Sequence, residues 1–498
     1  MWQEAASPSP VPALTAALLS LLPTFLLVAT RPYFHDETST WFFAAGSTGH
    51  LWTMLRQDVH PPLYFLIAHV LFHLGMPLMA LRVLSAVAMA GAVYLFTRLL
   101  GRGAMAWPVA LVVGTSPFLA FTGYFARYYS LVALLLVAWA GALLESRRGG
   151  PGAVRAGVLG SVLVLVNYPA ALLVCVATSV FAITHRAERR GAVAYLLPVA
   201  TFVLLLPLLL VQVQSEIASR VGGTNLWELM VGIVRTSGYA AYCLSASDGL
   251  PPWSVAGPVV ALAGVLLWLR GALAWLRRPG GWGVLAAVLL LIAAAVLVGA
   301  VTLRGPAFIF FPPRFAWLAF PWFLVLLGPP DSEAGPPRWV VAALIVLNAV
   351  GLGGLLAGGT TNWAYVVPSA DIARQVKQAT RDHPRAILYI PQRSFGNILW
   401  ELTVDQGWSG RVNDCAADAD RLIVIEPAGS ALWPPPQAQE QGSDCVPGDD
   451  WVLVDEDHYI HEDVRVRAAK QRVMGRESEE YKLAVRVYDR SGSGAASP

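Results

Sequence analysis

Residues 12–37 read PALTAALLSLLPTFLLVATRPYFHDE. Up to Thr30 the run carries no charge. About 20 apolar residues at 1.5 Å per residue cross the hydrocarbon core of a bilayer, so this run reads as a membrane helix. It stops at Arg31 and then meets His35, Asp36 and Glu37. Two adjacent acids beside lipid are costly unless they are hydrated or paired. Their plainest reading is a solvated helix start, where acids suit the helix dipole. No basic stretch precedes residue 12, so an uncleaved first helix is expected over a cleaved signal peptide.

The composition extends this reading. The 498 residues are 56% hydrophobic and 13% charged, about half the charge density of a soluble chain. That balance excludes an ordinary cytosolic enzyme, a disordered chain and a disulfide-stapled secreted module. A net charge of +3 gives no footprint for nucleic acid. The charge is unevenly placed. Residues 1–358 hold 20 Arg, no Lys and 11 acids, a balance of +9, whereas residues 359–498 hold 15 basic and 21 acidic residues, a balance of −6. A membrane part over 1–358 and a polar domain over 359–498 are expected.

Candidate spans are 12–30, 81–99, 103–120, 127–145, 156–167, 169–184, 192–211, 254–270, 282–303, 315–328 and 339–357. Two of them, 156–167 and 169–184, are short and meet at Asn167-Tyr168-Pro169. They read as two helices on a tight turn, with one kinked helix as the alternative. The segment 61–79 is apolar but contains His69, His73 and Pro77. If it crosses, the basic clusters at Arg98/Arg102, Arg147/Arg148/Arg155, Arg186/Arg189/Arg190 and Arg270/Arg277/Arg278 all fall outside. If it lies at the interface or re-enters, all fall in the cytoplasm, as the positive-inside rule prefers. Eleven spans follow, with the C-terminal domain on the extracytoplasmic side of the cytoplasmic (inner) membrane.

This threading puts Asp36, Glu37, Asp58, Glu216, Glu228 and Asp248 on the outer side, and no acid in mid-span. Transporters commonly carry ionisable groups inside their helices, so the pattern favours chemistry at the outer surface. Two outer loops stand out. The first, 31–80, holds Asp36-Glu37 and then Asp58-Val59-His60-Pro61-Pro62-Leu63-Tyr64. The second, 212–253, is long and holds Glu216, Arg220, Trp227, Glu228, Arg235, Tyr239 and Asp248 without a motif; a long structured loop of this kind either covers or shapes a binding site or packs on the tail.

The first loop resembles that of the GT-C superfamily of membrane glycosyltransferases. The likeness is to the family-39-like branch that holds protein O-mannosyltransferases and lipid A aminoarabinose transferases. That branch carries an acidic pair after its first helix, followed by Asp-x-His-Pro-Pro-Leu. Weaker likenesses lie at Ala80-Leu81-Arg82-Val83-Leu84-Ser85, at Tyr124-Phe125-Ala126-Arg127-Tyr128-Tyr129-Ser130-Leu131, and at Pro312-Pro313-Arg314-Phe315 with Phe320-Pro321. Together they cover roughly residues 12–330. One departure is Phe125, where many relatives have Glu.

The resemblance implies a polytopic α-helical GT-C fold and a sugar carried on a polyprenyl phosphate. It also implies an inverting transfer to an acceptor hydroxyl on the outer face. A positioned carboxylate can take the acceptor proton, and arginine can hold the departing phosphate in a site that excludes water. Asp36 is the candidate base and Glu37 the orienting acid, with the reverse assignment open. His60, Arg82, Arg127 and Arg314 are the candidate donor-binding residues, against structural hydrogen bonding for His60 and interfacial snorkelling for the arginines. Asp58, Tyr64 and Tyr128 would support the loop. The family weighting suggests mannose; the acceptor is left open between lipid, glycan and protein. No Asp-x-Asp stands in the first loop, so a divalent metal is not indicated, although the outer acids leave one open.

The tail reads as a small α/β domain. Helices are expected at 370–382 and 396–404, and strands at 386–390, 421–425, 451–454 and 482–488. Asp455-Glu456-Asp457-His458 with His461-Glu462-Asp463 reads as a hydrated acidic turn rather than a metal site. Cys415 and Cys445 are candidates for a disulfide in an oxidising compartment, although spacing leaves their proximity open. Two other activities remain against glycosyl transfer: a flippase or transporter of lipid-linked sugars, and an inactive scaffold of envelope assembly.

Overall fold

The structure is a computed structural model. It describes residues 9–31, 33, 35–58, 60–101, 103–146, 152–184, 193–214, 266–278, 281–285, 288, 319–329, 336–356, 369–390, 396–405, 407–412, 419–428, 450–460 and 482–491. The chain divides into two compact units. One comprises residues 1–30, 40–247 and 255–357; the other comprises 31–39, 248–254 and 358–498.

The first unit is helical. Its helices are α1 Pro10–Thr30, α2 His35–Ala44 (whose last turns belong to this unit), α3 Thr48–Gln57, α4 Leu63–His73 and α5 Leu78–Leu100. There follow α6 Ala106–Gly114, α7 Pro117–Gly123, α8 Tyr129–Ser146, α9 Gly152–Val166, α10 Tyr168–Thr184 and α11 Leu197–Val213. The later described helices are α12 Leu266–Leu276, α13 Ala319–Leu327 and α14 Arg338–Leu356.

Among the described residues, four helices are long and apolar enough to cross a membrane: Pro10–Thr30, Leu78–Leu100, Tyr129–Ser146 and Val193–Val213. A fifth arises if Gly103–Gly114 and Pro117–Gly123 count as one broken span. The expected spans 254–270, 282–303 and 315–328 lie partly outside the described residues.

The threonine hydroxyls of α1 satisfy themselves on the backbone. Thr24 donates to Ser20 O at 2.7 Å and Thr30 to Leu26 O at 2.6 Å, which lets polar residues enter an apolar helix at little cost. Close helix contact needs small residues. A Cβ at Gly114 would stand 2.8 Å from the Ala16 backbone, where α6 meets α1.

The span expected over 103–120 is not one straight helix. It breaks between α6 and α7 with a bend of 55°. Pro117 has no N–H to give Val113 O, and the Ser116 N–H bonds Val113 O instead. Val112 O thereby loses its helical donor, and Asn348 of α14 supplies one at 2.8 Å.

The pair 156–167 and 169–184 forms two helices, α9 and α10, which pack on each other. Asn167 between them caps α10, its Oδ1 accepting the Ala170 N–H at 2.9 Å. The ambiguous segment 61–79 contains α4, only 11 residues long and so about 16 Å, roughly half the hydrocarbon thickness. It ends in a Schellman turn: Met76 N–H bonds Leu71 O, Gly75 N–H bonds Phe72 O, and Gly75 takes φ +79°.

The second unit contains α15 Ser369–Thr380, α16 Gly396–Trp400 with a π-turn at Glu401–Asp405, and a five-stranded sheet ordered β2-β1-β3-β5-β4. The strands are β1 Ile387–Tyr389, β2 Arg411–Val412, β3 Arg421–Ala428, β4 Trp451–Ile460 and β5 Lys482–Arg490. Strand β1 runs parallel to β2 and β3, while β5 runs antiparallel to β3 and β4. Ile372 and Val376 of α15 join Leu388, Ile423, Ile425, Val485 and Val487 in one core. The Tyr33 ring lies 4.5 Å from that of Trp400, tying the segment after α1 into this unit.

One expectation is corrected here. Residues 455–458 are not a turn; they continue β4. The alternating partner strand β5 pairs along the whole of Trp451–Ile460, with a bulge at Leu453/Asp455. Arg486 sits opposite Glu456 and bonds it at 2.9 Å. Charge on an edge strand also blunts unwanted pairing.

Candidate functional site

The site residues of the helical unit gather around one short turn. After α3, the Asp58 N–H caps the helix by bonding Met54 O, and the chain leaves in an extended conformation. Two prolines then start α4. The His60 Nδ1 lies 3.0 Å from both carboxylate oxygens of Asp58. An ionised carboxylate only accepts, so Nδ1 carries the proton and Nε2 points elsewhere. The His60 ring packs 5.1 Å from Tyr128 and 6.3 Å from Phe65. Tyr64 meets Tyr128 at 6.1 Å.

Arg127 packs on the same rings. Its guanidinium carbon lies 5.5 Å from the Tyr128 centroid and 5.8 Å from that of Phe65. Nη1 donates to Thr40 Oγ1 at 2.9 Å. The Ser85 hydroxyl donates to Arg127 O at 3.2 Å and fixes this turn to α5. Arg82, on the second turn of α5, stands 5.3 Å over the Tyr124 ring and donates to Val28 O at 3.4 Å. Arg127 is 5% exposed and Arg82 fully buried. Both guanidiniums sit inside the helical unit, on the faces of aromatic rings.

Phe125 is also fully buried. Its ring stacks on Tyr124 at 4.3 Å and meets Phe121 edge-on at 5.1 Å. An aromatic layer thus fills the position where the resemblance expects a carboxylate.

The first loop's acidic pair lies on the first turn of α2, in the segment grouped with the second unit. Glu37 is buried. The Asp36 side chain, Arg314, Cys415, Cys445 and loop 212–253 beyond Gln214 lie outside the described residues. In the tail, Glu456 faces Arg486 and stands 3.4 Å from His458, while residues 461–463 lie outside the described set. Among the described residues no group of three or more His, Cys, Asp and Glu gathers at metal-binding range.

Three polar residues around the site were not singled out by the sequence: Thr40, which meets Arg127, Gln212, which bonds the Asp58–His60 turn, and Tyr168, which bonds Gln212. Each stands at the end of an apolar run, where a polar residue reads as a mere boundary. Only the partner across the fold shows its use.

No protein-family model matches the chain, and no curated protein matches it. Among solved structures the chain is similar to the crystal structure of ArnT from Cupriavidus metallidurans bound to undecaprenyl phosphate. The sequences are 16% identical, 97% of this chain and 98% of that chain are covered, and the TM-score is 0.41. The functional reading rests on the residues described above.

Proposed function

We propose that the protein is an inverting membrane glycosyltransferase. It moves a monosaccharide, mannose by family weighting, from a polyprenyl phosphate to a hydroxyl of a lipid, glycan or protein at the outer face of the cytoplasmic membrane. Asp36 is the base and Glu37 the orienting acid. The acceptor oxygen bonds to the anomeric carbon as its proton passes to the carboxylate. The bond from that carbon to the phosphate oxygen breaks, and polyprenyl phosphate departs with the negative charge. His60 touches donor sugar or phosphate. Arg127, Arg82 and Arg314 answer the growing charge, which arginine does best where water is scarce.

One observation supports this most: two buried guanidiniums and an Asp58–His60 pair surround the same aromatic turn of the helical unit. Burying such charge is costly, and inside a membrane protein an ionisable group is a functional candidate by default.

The test is Asp36→Asn in purified protein, assayed with labelled polyprenyl-phosphate mannose and other polyprenyl-phosphate sugars against extracted envelope acceptors. Transfer by the native chain is expected, with a fall of about 10²–10⁴-fold in the variant and an unchanged melting point. Undiminished transfer by the variant removes Asp36 as the base. Absence of transfer by the native chain removes the enzymatic reading.

A further inference from the structure

We infer that Gln212 is a positioning residue whose amide clamps the turn carrying Asp58 and His60 and so sets the aim of the His60 imidazole. Gln212 lies in the last turn of α11, an otherwise apolar helix, and is 1% exposed. Its Nε2 donates to Leu55 O at 2.7 Å and to His60 O at 2.9 Å. Its Oε1 accepts from the Tyr168 hydroxyl at 2.8 Å. The amide orientation is fixed by chemistry: turned over, its oxygen would face two carbonyl oxygens.

Both carbonyls lie where backbone donors are few. Leu55 is in the last turn of α3, where carbonyls run out of helical partners. Pro61 and Pro62 follow His60 and bring no N–H into the turn. One planar group therefore grips both ends of the stretch 55–60, and Asp58 and His60 lie within that grip. With Nδ1 held by Asp58, only Nε2 of His60 is left for a ligand. The resulting order is Tyr168, Gln212, the turn, and then the imidazole.

This inference rests on glycosyl transfer for its kinetic consequence but not for its geometric one. Two measurements on the full-length protein in lipid nanodiscs separate them. In the kinetic arm, Gln212→Met is expected to raise KM for the polyprenyl-phosphate sugar about tenfold, the equivalent of one lost hydrogen bond, with kcat little changed. Tyr168→Phe, which deletes one of the three bonds and adds no bulk, is expected to act in the same direction by about threefold. In a His60→Ala background the Gln212→Met effect should vanish, because residues acting through one another are not additive. In the geometric arm, diethyl pyrocarbonate labelling read by peptide mass spectrometry should rise severalfold at His60 in both variants, relative to His50, His69 and His73. Should Gln212→Met fail to fold, Tyr168→Phe carries both arms. Unchanged labelling at His60, or fully additive losses with His60→Ala, overturns the inference. If the native chain transfers no sugar, the glycosyltransferase reading falls, and the labelling alone decides the clamp.

Discussion

Two stretches of this chain combine acids with histidine and meet opposite fates. Asp58 and His60 sit in the helical unit, largely buried, with their side chains locked to each other at 3.0 Å. Asp455-Glu456-Asp457-His458 lies along an edge strand, with its acids exposed and Arg486 across from Glu456. In composition the second is the richer in acids. In structure it is ordinary strand-edge charge, worth little when screened by water. Charge becomes informative where the surroundings make it expensive, and burial separates the two stretches where spacing does not.

Four variants test how far that contrast goes. The largest effect is expected from Arg127→Gln, which removes a buried cation from the Tyr128 and Phe65 faces. Transfer from a polyprenyl-phosphate sugar should fall by two to three orders of magnitude, roughly the loss of a preorganised charge. Near-normal rates would make Arg127 a packing residue only. Next comes Asp58→Asn, which takes the carboxylate from His60 Nδ1. Removing one charge-assisted hydrogen bond should cost about 10–100-fold in transfer. A loss confined to the melting temperature would leave the pair a purely structural cap.

The tail side of the contrast is gentler. Hydrogen bonds from Arg421 hold the Asp489 carboxyl below the usual carboxylate range. A depressed pKa stabilises the fold above the unfolded value of about 3.9 and loses that contribution as pH falls through the folded value. The pair is partly exposed, so its contribution should stay below about 1 kcal/mol. Arg421→Ala should flatten that acid limb in circular-dichroism melts between pH 5 and pH 2.5, values spanning the usual carboxylate range. An unaltered limb would mean the pair is idle. The smallest effect belongs to Glu456→Gln, with a stability change within about 0.5 kcal/mol and native transfer rates. A large loss of activity would reverse the ranking of the two stretches.

What could be read ahead of the structure follows from what hydropathy measures. Uniform apolar runs such as 12–30 and 81–99 declare themselves, and so does the alternation of Lys482–Tyr488. The break after Gly114 hides inside an apolar run, because Pro117 near the end of a span reads as a boundary. Strand β2 is only Arg411–Val412, too short for any pattern. The acids of 455–458 masked the continuation of β4, since strand propensity there comes from a partner 30 residues away. The arginines were marked by motif, yet their burial depends on rings contributed by residues 64–65 and 124–128. Gln212 carries no local signal, since its partners lie 152 and 157 residues away.

The bend between α6 and α7 also sets a timetable for biogenesis. Val112 O waits for Asn348, which is 236 residues later in the chain. At a synthesis rate of about 5–20 residues per second, that wait is roughly 10–50 s. During it, the half-made crossing must shelter an orphaned carbonyl with water, the insertion machinery or a neighbouring hydroxyl. A nascent chain stopped short of α14 would lack the Asn348 donor for Val112 O.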